Sequence, residues 1–167
     1  VLDAHERGES ITTRTAHIGP ALVFERLWRA LGVDRAIDSV CAERKFQFSV
    51  ERSAFLTVLH RLFDPGSDRA AERWKERTAI AGAEDLQLQH LYRAMAFLGS
   101  PLPAERQTEA EAFSPRCFKD LIEEELFARR RDLLSGMDLV FLDTTSIYFE
   151  GEGGQSLGQR GHSKDHR

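Results

Sequence analysis

The chain has 167 residues, 41% of them hydrophobic, which is enough for one good core and too little for two complete large domains. A formal net charge of −4 excludes wholesale coating of nucleic acid, so any contact with DNA must come from a local basic patch. No apolar run approaches a membrane span and Val1 to Ser10 is polar, so a soluble, cytoplasmic protein with no membrane partner is expected.

The first residue is not Met and the last stretch is charged and turn-like, so both ends read as cuts rather than natural termini. Cys41 and Cys117 stand far apart and outside any paired pattern, which argues against a zinc knuckle or a disulfide scaffold and for reduced, buried thiols.

From Gly19 to Leu134 the hydrophobic period is helical, with turn signals where helices should stop. Pro20 suits a first helical turn, Val23, Phe24, Leu27, Trp28 and Leu31 form one stripe, and Gly32 supplies a left-handed stop. Asp34 is placed to cap a short second helix whose Ala36, Ile37, Val40 and Cys41 share a face. Ser49 is placed to cap a third, the expected core helix, in which Ala54, Phe55, Val58, Leu59, Leu62 and Phe63 repeat at helical spacing.

Asp64-Pro65-Gly66 breaks the chain, and Ser67 can cap a fourth helix with Ala70, Ala71 and Trp74 inward and Arg69, Arg73 and Arg77 on another face. A fifth, from about Asp85, uses Leu88, Leu91, Tyr92 and Met95 and ends near Gly99. After a polar, Pro-containing connection, Ser114-Pro115 restarts a helix with Phe118, Leu121, Ile122 and Leu126 inward, running to Arg129-Arg130-Arg131 and stopping near Gly136. The pattern then changes: Leu139 to Leu142 is a continuous apolar run, followed by Asp143-Thr144-Thr145-Ser146 and Ile147-Tyr148-Phe149, which reads as a buried strand. Residues 151–167 are Gly-rich and polar, a loop or an unfinished hairpin. The division expected is therefore a helical domain over 1–136 and the start of a second domain over 137–167.

Asp143 is the residue with the clearest chemical meaning, because an ionised carboxylate in a buried apolar strand needs a cation, a proton or several donors to offset its desolvation. From the pattern alone the structural reading ranks first, a strand end at which Asp-Thr-Thr-Ser bonds its own backbone. The best local basic group is Arg69, Arg73, Lys75 and Arg77, interleaved with Asp68, Glu72 and Glu76, and it is open between a phosphate-contacting patch and an ordinary solvated face. His162 and His166 have the outer spacing of a helical zinc pair, but Gly161 opposes a helix, no Glu follows His162, and solvated loop histidines are the better reading. Glu123 to Glu125 and Arg129 to Arg131 read first as a solvated helix face with charges favoured by its dipole, and only second as a phosphate contact.

The stretch from Leu139 to Arg167 resembles transposases of bacterial insertion sequences that have a ribonuclease-H-like DDE catalytic core. The resemblance is carried by Asp143 to Ser146 on an apolar strand, Tyr148 to Glu150, a Gly-rich link, and Gly161 to Arg167. Upstream, Leu31-Gly32-Val33, the run from His60 to Ser67, and Trp74 are similar to the family's helical region. The fold implied is mainly α in this chain, a helical N-terminal domain followed by the first strand of a truncated ribonuclease-H-like α/β domain.

The activity implied is metal-dependent strand cleavage and transfer during DNA transposition, with Asp143 as a catalytic ligand of Mg²⁺. Transposon-end DNA is then the partner, Arg69, Arg73 and Arg77 are the candidate contacts, a homodimer is compatible, and no small-molecule substrate is expected. Lys164, Asp165 and Arg167 belong to the motif and could serve packing or DNA approach. The family's second Asp and its Glu lie further downstream, so the metal site is expected to be incomplete here and the chain alone inactive. The alternative is a non-catalytic helical DNA-binding or interaction module left by truncation of a transposase gene. An aspartic protease strand is a remote reading, because Thr145 stands where Asp-Thr-Gly needs glycine for its turn and the helical N-terminal half does not suit that all-β fold.

Overall fold

A computed structural model of the protein describes residues 15–107 and 115–130, and within them the chain is mainly helical. Six α-helices follow in order: α1 (Gly19–Leu31), α2 (Val33–Cys41), α3 (Val50–Phe63), α4 (Asp68–Trp74), α5 (Leu88–Leu98) and α6 (Phe118–Arg129), with one 3-10 turn at Ala104–Arg106. No strand occurs among the described residues, and the strand expected at 139–142 lies outside them. No described helix is long and apolar enough to cross a membrane.

Punctuation residues set several of these boundaries. Pro20 stands in the first turn of α1, where its missing N–H costs nothing, and Gly32 at φ 77° ends that helix in the left-handed conformation. Ser49 Oγ accepts from Arg52 N at the start of α3, and Ser67 Oγ accepts from Ala70 N at the start of α4. Three other starts differ from expectation. Gly32 occupies the cap position of α2 and Asp34 falls inside the first turn without a capping bond. α5 begins at Leu88 rather than near Asp85; its entry is tied by Gln87 N–H donating to His90 Nδ1 and Leu88 N–H donating to Glu72. Pro115 does not restart a helix, because Arg116 and Cys117 are held extended: Leu102 N–H donates to Arg116 O and Phe118 N–H to Ser100 O, so α6 starts at Phe118.

Gly32→Ala should destabilise the fold by about 1–2 kcal/mol, the cost of a left-handed conformation for a residue with a Cβ. The added methyl would also meet Arg129 Nη1 at 2.8 Å, a contact the flexible arginine can relieve by moving. Urea unfolding measures the loss, and an unchanged midpoint would show that the turn re-forms with φ below zero.

α3 is the central helix and packs against α1, α2, α4 and α5. It is therefore buried nearly all round: Phe55, Leu56 and Leu59 are inside, and so are Ser53, Thr57 and His60. The expected stripe holds only for Ala54, Phe55 and Leu59, whereas Val58, Leu62 and Phe63 are exposed. α1 departs in the same way. Ala21 is buried and Phe24 and Trp28 are partly buried against the core, while Val23 and Leu27 face solvent. Phe24 meets Phe63 edge-on at 5.4 Å, and Trp28 meets Phe55 at 5.2 Å, which fixes α1 along α3.

The core has two lobes. One gathers Phe55, Leu56, Leu59, Ala71 and Trp74 with Ile80, Ala83 and Leu86 of the segment between α4 and α5. The other gathers Ala36, Ile37, Val50, Ala94, Phe97, Phe118 and Ile122, and Trp28 and Phe48 pack against both. In α6, Phe118 and Ile122 are buried and Leu121 and Leu126 pack beside them, as the spacing predicts. In α5, Leu91, Ala94 and Phe97 are buried while Tyr92 is exposed, so the buried arc is rotated from the one expected.

Candidate nucleic-acid interface

α4 is a helix of seven residues whose apolar side, Ala71 and Trp74, is pressed into the core, with Trp74 edge-on to His60 at 5.6 Å. That anchoring leaves Arg69 and Arg73, one helical turn apart, on the exposed side. Beyond Trp74 the backbone tightens into bonds between residues three apart, Glu76 N to Arg73 O and Arg77 N to Trp74 O. His17 N–H donates to Arg77 O and Ala79 N–H donates back to His17 O, and the Thr78 side chain is buried there. Arg77 is thus exposed but sits past the helix end, not on the helical face on which its spacing put it.

The carboxylates interleaved with these arginines are partly committed elsewhere. Asp68 lies in the first turn of α4, 3.6 Å from Arg61 Nη2, and Glu72 accepts the Leu88 N–H at 2.7 Å. Arg69, Arg73 and Arg77 make no ion pair among the described residues. Lys75 does not belong to this group, since it is half-buried and its Nζ donates to Glu84 O at 2.6 Å, tying the following segment to α4. The basic patch is therefore three arginines rather than four basic residues.

A cavity of about 670 Å³ opens between α1 and residues 75–84, floored by Ile18, Ala21, Leu22 and Ile80. Glu25, Glu76 and Glu84 share its wall with Arg26, Arg29 and Lys75, so it holds no surplus positive charge to attract a phosphate.

The most buried charges form a structural network that sequence reading missed. Arg52 of α3 is clamped by Glu51 and donates to Glu25 Oε2 of α1 at 2.8 Å, while Trp28 Nε1 donates to Glu51 Oε1 at 2.7 Å. Burial alone would lower the Arg52 pKa, but the hydrogen bonds and charges of Glu51 and Glu25 outweigh it and hold it above the usual value. Nearby, burial and then the Glu51 and Asp34 charges raise the Asp38 pKa. A Glu in a helix's first turn reads as a dipole partner, so nothing in the sequence marked Glu51 as buried.

Both cysteines are free and half-buried rather than fully buried. Burial, followed by the Asp38 charge, pushes the Cys41 thiol up to about 11, so it stays protonated at neutral pH. Asp143, His162, Lys164, Asp165, His166 and Arg167 lie outside the described residues, as do Arg131 and residues 1–14. Among the described residues no group of three His, Cys, Asp or Glu side chains is arranged to hold a metal ion. The chain matches no family model, no curated protein and no solved structure.

Proposed function

We propose that this chain is part of an insertion-sequence transposase of the DDE type, in which Asp143 is a ligand of catalytic Mg²⁺ and the helical region seats transposon-end DNA through Arg69, Arg73 and Arg77. The observation that carries the reading is the order of the C-terminal motif, an apolar strand-like run, Asp143-Thr144-Thr145-Ser146, Tyr148-Phe149-Glu150 and then Gly161 to Arg167. The arginines support it by availability: they are exposed and without ion pairs among the described residues, while Asp68 and Glu72 are engaged elsewhere.

Mg²⁺, when bound, supplies Lewis-acid stabilisation of the oxygens that enter and leave the phosphorus. Asp143 contributes a hard, anionic oxygen suited to that ion. Arg69, Arg73 and Arg77 neutralise backbone phosphates and set the register of the duplex without reading its sequence.

Arg69→Gln/Arg73→Gln/Arg77→Gln should weaken binding of a 20-base-pair duplex at least about tenfold near 50 mM salt, measured by fluorescence anisotropy. The slope of log affinity against log salt should fall by roughly two to three, one for each phosphate no longer neutralised. The weakening should be similar for end and scrambled sequences. A triple variant that keeps its affinity and slope removes this patch from the interface.

A further inference from the structure

A second set of arginines converges where α1 passes into α2. A methyl group built on Gly32 would lie 2.8 Å from Arg129 Nη1 of α6 and 3.4 Å from Arg35 Nη2 of α2, so both guanidinium groups approach one point from different helices. Arg130 joins them, its Nη2 donating at 3.3 Å to Ala30 O in the last turn of α1. Arg35 stands far from Arg129 and Arg130 along the chain, so no helical period reports the cluster.

Not all of this charge is used internally. Glu125 pairs with Arg129 and also accepts from Ser39 Oγ at 3.1 Å, while Ala30 O takes one Arg130 donor and leaves its charge unneutralised among the described residues. Arg35 is exposed and makes no ion pair among the described residues, yet it lies beside Arg129 rather than away from it. Like charges this close repel, a repulsion that Glu125 offsets at Arg129 and that a bound anion would offset at Arg35. The absence of a side chain on Gly32 lets the guanidinium groups of Arg129 and Arg35 close over its backbone.

We propose that this corner, built by Arg35, Arg129 and Arg130 around Gly32, is a phosphate-binding site that takes a backbone phosphate of duplex DNA, distinct from the α4 patch. The inference rests on reading the chain as a DNA-binding protein. A phosphodiester offers acceptor oxygens to forked guanidinium donors, a geometry that arginine serves better than lysine. A phosphate contact here would add to the positioning of a duplex that the α4 patch begins.

The test uses the full chain with a fluorescent 20-base-pair duplex and, separately, inorganic phosphate. Arg35 makes no ion pair among the described residues, so Arg35→Gln should leave thermal stability unchanged, and Arg35→Gln/Arg130→Gln extends the charge removal. The double variant should bind the duplex about 3- to 10-fold more weakly at 50 mM salt, with a salt slope smaller by about one to two. Inorganic phosphate should shift the amide resonances of Gly32 and Arg35 in the native chain and not in the double variant.

A duplex affinity and slope unchanged in both variants overturns the proposal. If that result comes with phosphate shifts in the native chain that the double variant loses, the corner holds free phosphate only and the DNA assignment is overturned. Weakened binding in the Arg69/Arg73/Arg77 variant alone sinks this corner and leaves the proposed function standing. Weakened binding in the corner variant alone supports the corner and sinks the α4 assignment.

Discussion

Arg52→Ala should lower folding stability by about 3–5 kcal/mol, because it leaves Glu51 as a buried carboxylate without its cation. The side chains of Arg52 and Glu51 are only 12% and 8% exposed, so water cannot take the missing partner's place. Glu25 is better protected, since Arg29 Nη2 remains 2.7 Å from its Oε1. Arg52 also stacks over Phe55 at 4.6 Å, and its stem lies against Gly82, whose added Cβ would sit 3.2 Å from Arg52 Cδ, so packing goes with the charge.

A second variant separates those two effects. Glu51→Gln/Arg52→Met keeps an acceptor for Trp28 Nε1 and fills most of the volume while removing both charges, and it should recover more than half of the stability. Urea unfolding of the two variants measures the difference. If Arg52→Ala costs less than about 1 kcal/mol, the pair behaves as a solvated surface bridge and the network does not hold α1 to α3.

The network shows where sequence reading stops. Helix existence was legible because Pro20, Gly32, Ser49 and Ser67 act through local backbone chemistry that needs no knowledge of neighbours. The buried arcs were less legible. α1 carries Leu22, Val23, Phe24, Leu27, Trp28 and Leu31 over more than half its circumference, and only the position of α3 decides that Ala21, Phe24 and Trp28 turn inward. α3 itself is surrounded, so Ser53, Thr57 and His60 are buried for reasons of place rather than polarity.

The connecting segments escape for a related reason. Phe46, Phe48, Ile80 and Leu86 lie in irregular chain with no period to detect, yet they pack into or against the core. Of the candidate interface, Arg69 and Arg73 were legible as a turn-spaced pair. The withdrawal of Lys75 toward Glu84 O and the displacement of Arg77 past Trp74 depend on residues distant in sequence. The Gly32 corner lay further out of reach, since it unites α1, α2 and α6.

Catalysis carries the largest expected effect. On the proposed transposase reading, a chain that also supplies the second Asp and the Glu that such transposases place downstream should cleave the transposon end with Mg²⁺, and Asp143→Asn should reduce the rate by more than about 100-fold. The figure follows from the cost of removing a mere partner of a metal ligand, about 10- to 100-fold, which removal of the ligand itself should exceed. Asn keeps the shape and one neutral oxygen but removes the charge that holds a hard cation. End binding, which depends on arginine–phosphate pairing, should stay within about twofold, so the effect belongs to the chemical step. Single-turnover cleavage of a labelled end, alongside anisotropy on the same duplex, separates the two quantities. An Asp143→Asn chain that cleaves at an undiminished rate would make Asp143 a structural strand residue and leave the helical region as a DNA-binding module without this active site.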